Sequence, residues 1–433
     1  MKLSPLSELI TVATLFSSCS AELAAGTARR DTWTVGQTVQ TTSGPVEGQE
    51  ASSSDGVSEY LGIPYAAPPV GERRWLPPAN YSGDSTIKAT SFGPGCLENP
   101  GSAVSRTANA DSPHLTDQGL YILGQMLDPI ADTSEDCLTL NVWTKPQVGE
   151  EKKAVMMFIH GGSFVSGSSR IAAYNGQHLA ERQDVVLVTI NYRLNIWGFP
   201  GAPNQTQNLG LRDQRLALEW VRDNIAAFGG DVDRITVFGE SAGAGSVDVM
   251  SYAYTDDPIA AGYIAESGTA AQFATAAQAA EASQWYSVSS KVGCGDALAG
   301  ADAVFACMQG VDAETIKAAL PVTGLSQAFA PVVDDEVVFS DYVLRSPAAV
   351  PLLIGTNDKE SDLFKYTLAE NYSDTFYAQA ELLLFDCPVA SRADKGIAAG
   401  NPTWRYRWMG VFPNTVLAYV PMSGAWHGSE VCS

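Results

Sequence analysis

The stretch Gly239-Glu240-Ser241-Ala242-Gly243 limits what this chain can fold into more than any other. It reads G-x-S-x-G. A β-branched, alternating run, Arg234-Ile235-Thr236-Val237-Phe238, precedes it, and residues 242–250 have helical composition. A strand, a tight turn flanked by glycines and a helix would hold Ser241 on a strained elbow, with its hydroxyl above a sheet. Alone, the five-residue pattern arises easily by chance in a chain with 39 glycines. The flanking strand and helix give it meaning.

The surroundings have the same character. Residues 138–143, 154–159 and 185–191 are short apolar runs of the kind buried inside a sheet. Residues 208–228 read as a helix, since Leu218, Val221, Ile225 and Phe228 recur at helical spacing and Gly229-Gly230 ends the run. Further strands are expected at 234–238, 263–266 and 350–355, with the last drawn from 405–409 and 416–420. The Ala-rich residues 270–292 read as helical. Residues 31–100, rich in Gly, Pro and Ser, read as hairpins and surface loops around a strand at 57–65. Strands alternating with helices predict an α/β fold with a mainly parallel central sheet and helices on both faces. With 433 residues and 45% hydrophobic content, one domain over 31–433 can bury a large core.

Charge and cysteines bear on partners and compartment. Lys+Arg 26 against Asp+Glu 48 gives −22, a field that repels nucleic acid and anionic membranes. No apolar run is long enough to cross a bilayer. Lys2, an apolar core at residues 9–16 and Cys19-Ser20-Ala21 read as a secretory signal over residues 1–21. The sequons at Asn80, Asn204 and Asn371 fit an extracellular, glycosylated chain. Removing Cys19 leaves six of the seven cysteines, and the simplest pairing is sequential: Cys96–Cys137, Cys294–Cys307 and Cys387–Cys432. Their scatter argues against a metal site, and nothing in the sequence calls for a cofactor.

A serine hydroxyl needs a base within reach, and that base needs an acid to fix its tautomer. On a G-x-S-x-G elbow the expected order is Ser, acid, His. Of His114, His160, His178 and His427, only His427 follows Ser241. It lies in the Gly-bracketed stretch Gly424-Ala425-Trp426-His427-Gly428. The acid belongs in the loop leaving a strand, and Gly355-Thr356-Asn357-Asp358-Lys359-Glu360-Ser361-Asp362 offers Asp358, Glu360 and Asp362. Physical reasoning does not choose among them. Upstream, His160-Gly161-Gly162-Ser163-Phe164 follows a strand and matches an HGGG-type loop with Ser163 in the third glycine's place. Gly162 and Ser163 would offer N–H groups to an oxyanion, and Ala242 the one after the nucleophile.

These segments resemble the type B carboxylesterase/lipase family, which includes cholinesterases and fungal lipases. The matching motifs are Ser134-Glu135-Asp136-Cys137-Leu138-Thr139-Leu140-Asn141-Val142, the loop from His160 to Phe164, residues 208–220 and 238–247, residues 355–360, and His427-Gly428-Ser429-Glu430. The resemblance spans about residues 35–431 and implies an α/β-hydrolase fold with Ser241, Glu360 and His427 as the triad, so it decides the acid. It also implies the pairs Cys96–Cys137 and Cys294–Cys307. Family members continue well past the histidine, including a helix that backs the sheet, whereas this sequence stops six residues after His427. The C-terminal part is therefore expected to be truncated relative to the family.

Substrate information is thinner. No Trp falls between Cys96 and Cys137, where the resemblance would put the indole that stacks on a choline cation, so an uncharged carboxylic ester is expected. Phe329 resembles part of an acyl pocket. The leading expectation is a secreted serine esterase working through an acyl-enzyme. The alternatives are a triacylglycerol lipase whose 96–137 loop is a lid, and a catalytically impaired binding module on the same fold.

Overall fold

A computed structural model describes residues 33–98, 115–127, 132–147, 151–272, 282–321, 329–367 and 372–431. The elements below belong to one unit, Thr34–Ser433. The leader, Asn371 and Cys432 lie outside the described residues.

Nine strands form the central sheet: β1 (Gln49–Glu50), β2 (Ser58–Pro64), β3 (Thr139–Thr144), β4 (Lys153–Ile159), β5 (Val186–Ile190), β6 (Gly230–Glu240), β7 (Gly262–Glu266), β8 (Leu352–Asn357) and β9 (Thr403–Trp408). Their order is β9-β8-β7-β6-β4-β5-β3-β2-β1. The run from β9 to β5 is parallel, and the end from β5 to β1 is antiparallel. The expected mainly parallel sheet is present, with an antiparallel flank in which β3 is joined by β2 and β1 from the Gly- and Pro-rich N-terminal region. The last strand is Thr403–Trp408 alone. Residues 416–420, expected to contribute, make only isolated bridges, Leu115 to Ala418 and Tyr419 to Met422. Their apolar character serves packing instead: Leu417 and Ala418 are buried against Trp426 and Tyr366.

Alternation sorts the strand side chains onto two faces. On one, Val155, Met157, Ile159, Ile235, Val237 and Ile354 are completely buried. The helix Leu209–Asn224, its 3₁₀ extension Ile225–Phe228, and the helix Ala242–Ala253 cover this face. A Cβ on Gly230 would meet Ile225 and Val155, and one on Gly239 would meet the Gly243 backbone. The other face carries Phe158, Phe238, Ile264 and Leu353. The helix Gln177–Gln183 covers its β5 side through Ala180 and Leu179.

A second cluster around Trp75, Trp285 and Phe305 packs the helices Ser283–Lys291, Ala301–Gln309 and Ala313–Ala319, with Trp75 and Trp285 in edge contact at 4.9 Å. Of the expected 270–292 segment, residues 270–272 and 283–291 are helical and 273–281 lie outside the described residues. Disulfides join Cys96 to Cys137 and Cys294 to Cys307, while Cys387 is exposed and has no disulfide partner among the described residues, its expected partner Cys432 lying outside them. Asn80 and Asn204 are both exposed.

Asp248, on the helix Ala242–Ala253, is almost fully buried and accepts from Arg392 Nε at 2.5 Å and from the Ala270 N–H at 2.9 Å. Arg392 lies on the helix Cys387–Ala398, so one buried ion pair ties that helix to the helix behind the elbow. Arg392→Ala would leave a buried carboxylate without its counter-charge. It should destabilise the fold by about 3–5 kcal/mol, read from urea unfolding.

Candidate active site

The carboxyl ends of β4, β6, β7 and β8 converge on one edge of the sheet, where an open parallel sheet places its ligands. Ser241 follows β6 with φ 58° and ψ −119°, a left-handed backbone unusual for a residue with a Cβ. Its N–H donates to Glu266 O at 2.8 Å, and its carbonyl accepts from the Gly245 N–H at 3.0 Å. Both elbow glycines are required sterically. A Cβ on Gly243 would lie 2.0 Å from Ile159 O, and one on Gly239 would lie 2.7 Å from the same oxygen.

Beside the elbow, the loop after β4 turns through three left-handed residues, Gly162 (φ 105°), Ser163 (φ 55°) and Phe164 (φ 62°). Gly162 O accepts from the N–H groups of Val165 and Ser166, which folds the loop back on itself. Among the described residues the N–H groups of Gly162 and Ser163 have no acceptor, and the Ala242 N–H heads its helix. His160 anchors this loop rather than working in it. Its ring stacks on Tyr192 at 4.5 Å, and Tyr192 OH donates to His160 O at 3.0 Å. Burial pushes the His160 imidazole down to about 4, so it stays neutral.

Glu360 and His427 meet. Glu360 Oε2 lies 2.7 Å from His427 Nδ1, with the carboxylate wholly buried and the imidazole nearly so. Glu360 Oε1 accepts from Ser267 Oγ at 2.5 Å and from the Asn357 N–H at 2.7 Å. The other two candidate acids do other work. Asp358 pairs with Arg407 at the surface, and Asp362 accepts from the Gly424 N–H at 2.8 Å. The loop carrying His427 is tied to the acid loop at two further points, Lys359 N–H to Ala425 O at 2.9 Å and Asn357 Nδ2 to Trp426 O at 2.8 Å. The imidazole is flanked by Phe385, at 4.9 Å between ring centres, and Phe364, at 5.4 Å.

One residue that sequence reasoning passed over stands at the centre. His427 Nε2 lies 3.1 Å from Glu240 Oε1, a charge contact without hydrogen-bond alignment. Among the described residues Ser241 Oγ makes no hydrogen bond. Burial lowers the affinity of His427 for its proton, but the Glu240 and Glu360 carboxylates outweigh this and raise it to about 9. Burial raises Glu240 to about 7, against the pull of His427. Glu430 is raised to about 8, first by burial and then by Glu240, and Glu266 is raised well above the carboxylate range by burial and then by Glu430 and Glu240. Glu240 filled an unspecified position of G-x-S-x-G and Glu430 closed the matched stretch His427-Gly428-Ser429-Glu430, but no role was read for either.

A family model described as the carboxylesterase family matches residues 35–383. A chlorogenic acid esterase of Aspergillus niger is 34% identical over 436 residues, covering 98% of this chain and 81% of that protein. A secreted lipase 5 of Gibberella zeae is 32% identical over 415 residues, covering 87% and 75%. An acetylcholinesterase of Bungarus fasciatus is 40% identical over 214 residues, which are 48% of this chain and 33% of that one. A solved structure of a PNB esterase superposes with a TM-score of 0.70 at 28% identity, covering 92% of this chain and 83% of its own.

The electrostatics of the cluster give a measurable expectation. Glu240→Gln removes the carboxylate against Nε2, so the His427 pKa should fall by about one unit or more. The imidazole C–H resonances would report this in an NMR pH titration. An unmoved titration would exclude Glu240 as the source of the raised value.

Proposed function

The chain belongs to the carboxylesterase family, and from that premise we propose that it cleaves carboxylic esters with Ser241 as nucleophile, His427 as general base and acid, and Glu360 as the group that orients His427. Its fold is that of the α/β hydrolases, and it is a carboxylic ester hydrolase. The observation that supports the residue assignment is the buried 2.7 Å contact between Glu360 Oε2 and His427 Nδ1, which leaves Nε2 as the ring atom available to act as base.

In this reading His427 takes the proton of Ser241 Oγ as that oxygen attacks the ester carbonyl. The oxyanion is received by the N–H groups of Gly162, Ser163 and Ala242, worth several kcal/mol of barrier reduction. His427 returns the proton to the leaving alcohol. Water, activated by the same base, then frees the acyl group from the serine. Because Nε2 rests against Glu240 in this structure, the imidazole must turn toward Ser241 Oγ when substrate is bound, a tightening common in apo sites. An uncharged ester is the substrate class proposed; the name of the fungal lipase suggests a lipid ester for first assays, with chlorogenic acid, named for the other fungal relative, as the anionic comparison. The two disulfides and the secreted relative support export of a single 31–433 domain behind a 1–21 leader. Glycosylation at Asn80, Asn204 and Asn371 is part of the same extracellular reading.

A lipase reading is favoured by one observation. The helix Asp117–Leu127, from the Cys96–Cys137 loop, packs Ile122 and Leu123 on Leu417 and Trp426, next to the His427 loop. If that helix acts as a lid, hydrolysis of long-chain esters should rise sharply at an oil–water interface, and a steady decline with chain length would remove this reading.

Ser241→Ala should reduce p-nitrophenyl ester hydrolysis by about 10⁴–10⁶-fold, and Glu360→Gln by about 10³–10⁴-fold. Ser241→Ala should also abolish labelling by a fluorophosphonate. Retained turnover or labelling in Ser241→Ala would overturn the assignment and leave a binding module as the better reading.

A further inference from the structure

Glu240 and Ser241 are neighbours in the chain, and the elbow brings both side chains over the oxyanion loop. A Cβ built on Gly161 would lie 2.7 Å from Glu240 Oε2 and 3.0 Å from Ser241 Cβ. The carboxylate and the nucleophile therefore stand side by side above the same glycine. Glu360 Oε2 occupies His427 Nδ1 at 2.7 Å, which leaves one ring nitrogen for the serine. Glu240 Oε1, not Ser241 Oγ, is the atom found against that nitrogen, at 3.1 Å.

An imidazole with a carboxylate at each nitrogen satisfies both only as imidazolium, with a proton on each. An imidazolium cannot accept the serine proton. The two contacts are unequal. Glu360 makes an aligned hydrogen bond, whereas Glu240 Oε1 is buried without an aligned donor, and His427 is the cation that acts on it. Leaving that oxygen with no counter-charge is costly. Glu240 is therefore the partner that gives way when the ring turns, and the one that recovers it when the site empties. Three carboxyls act on the ring: Glu240 at the end of β6, Glu360 in the loop after β8 and Glu430 beyond the histidine. The other elements against it bring uncharged groups, Phe364, Phe385 and, beside Gly428, Met126 of the helix Asp117–Leu127. Glu266 of β7 and Tyr406 of β9 interact in turn with Glu240 and Glu430, and burial pushes both of them up.

We propose that Glu240 is a positioning residue that captures the base: in the resting protein it holds His427 Nε2 off Ser241 Oγ and keeps the enzyme restrained. This deepens the reading of Ser241 and His427 given above and rests on it. Release passes the Nε2 proton to water, after which the neutral ring turns to the serine hydroxyl. The carboxylates that hold the ring also raise its proton affinity, so pH sets the restraint. Below the His427 value of about 9 the ring is charged and captured, and above it the ring is free. Toward acid, Glu240 itself takes up a proton near 7, but the ring stays charged against Glu360 and still cannot act as base.

The test is the rate at which a fluorophosphonate labels the full chain from about pH 6 to about pH 10, since that rate follows the base of the free enzyme. The wild-type midpoint should lie near 9, with about a tenth of the plateau rate at about pH 8. Glu240→Gln should lower the midpoint by about one unit or more, so that about pH 8 gives half the plateau or better. Glu430→Gln removes a nearby carboxyl that is not in contact with Nε2 and should move the midpoint less. Glu240→Asp, which draws the carboxylate back by one methylene, should also lower it and serves if Glu240→Gln fails to fold. The capture would be overturned by a wild-type midpoint near 6.5, by an unmoved or raised midpoint in the Glu240 variants, or by an equal shift in Glu430→Gln. Ser241→Ala separates the two readings. Labelling that persists there overturns the serine assignment and the capture with it. Labelling lost there, with an unmoved Glu240→Gln midpoint, overturns the capture alone.

Discussion

The left-handed backbone at Ser241 is the constraint on which the site depends. A non-glycine residue at φ 58° and ψ −119° costs about 1–3 kcal/mol and persists only where its surroundings over-determine it. Here the surroundings are backbone. Glu266 O receives the serine N–H, the helix behind it captures the serine carbonyl, and Gly239 and Gly243 let the turn press against Ile159. Gly268 makes the same allowance on the other side, since a Cβ there would lie 2.3 Å from Ser241 O. Three parallel strands in fixed register thus converge on one residue, and the strain is spread over their ends.

Electrostatics impose a second condition on the same spot. Glu240, Glu360 and Glu430 act on one buried imidazole, and Glu266 is buried against Glu430 and Glu240. Four ionised carboxyls could not share such a space, and desolvation resolves the conflict by raising the proton affinity of those with fewest donors. Glu360, with Ser267 and the Asn357 N–H bound to it, is the acceptor best supplied with donors. The oxygen of Glu240 that faces His427 has no aligned donor.

Much of this was legible in the sequence where local rules operate. The elbow, the glycine pair after β4 and the solitary downstream histidine are short-range or counting signals, and they led to residues that the fold gathers at one edge. The alternation of apolar runs gave the sheet and most of its strands. What local rules could not reach was the choice among Asp358, Glu360 and Asp362, because it depends on which side chain points back under β8. Only Glu360 does, and Asp358 faces Arg407 while Asp362 caps Gly424 N–H. Residues 416–420 were apolar for packing on Trp426 rather than for pairing in the sheet. Glu240 was hidden because its contact with His427 spans most of the distance between the elbow and the chain's last turn.

The stitching of the histidine loop to the acid loop reduces a three-body problem to a two-body one. Lys359 to Ala425, Asp362 to Gly424 and Asn357 to Trp426 make residues 357–362 and 424–427 a single rigid piece. Acid and base then have no independent coordinates, and the remaining freedom is the placement of that piece relative to the elbow. Substitutions scattered through either loop should therefore act along one geometric axis, drawing the imidazole toward Ser241 or toward Glu240. Such a site is adjusted as a hinge is adjusted, by a shim placed anywhere along the leaf.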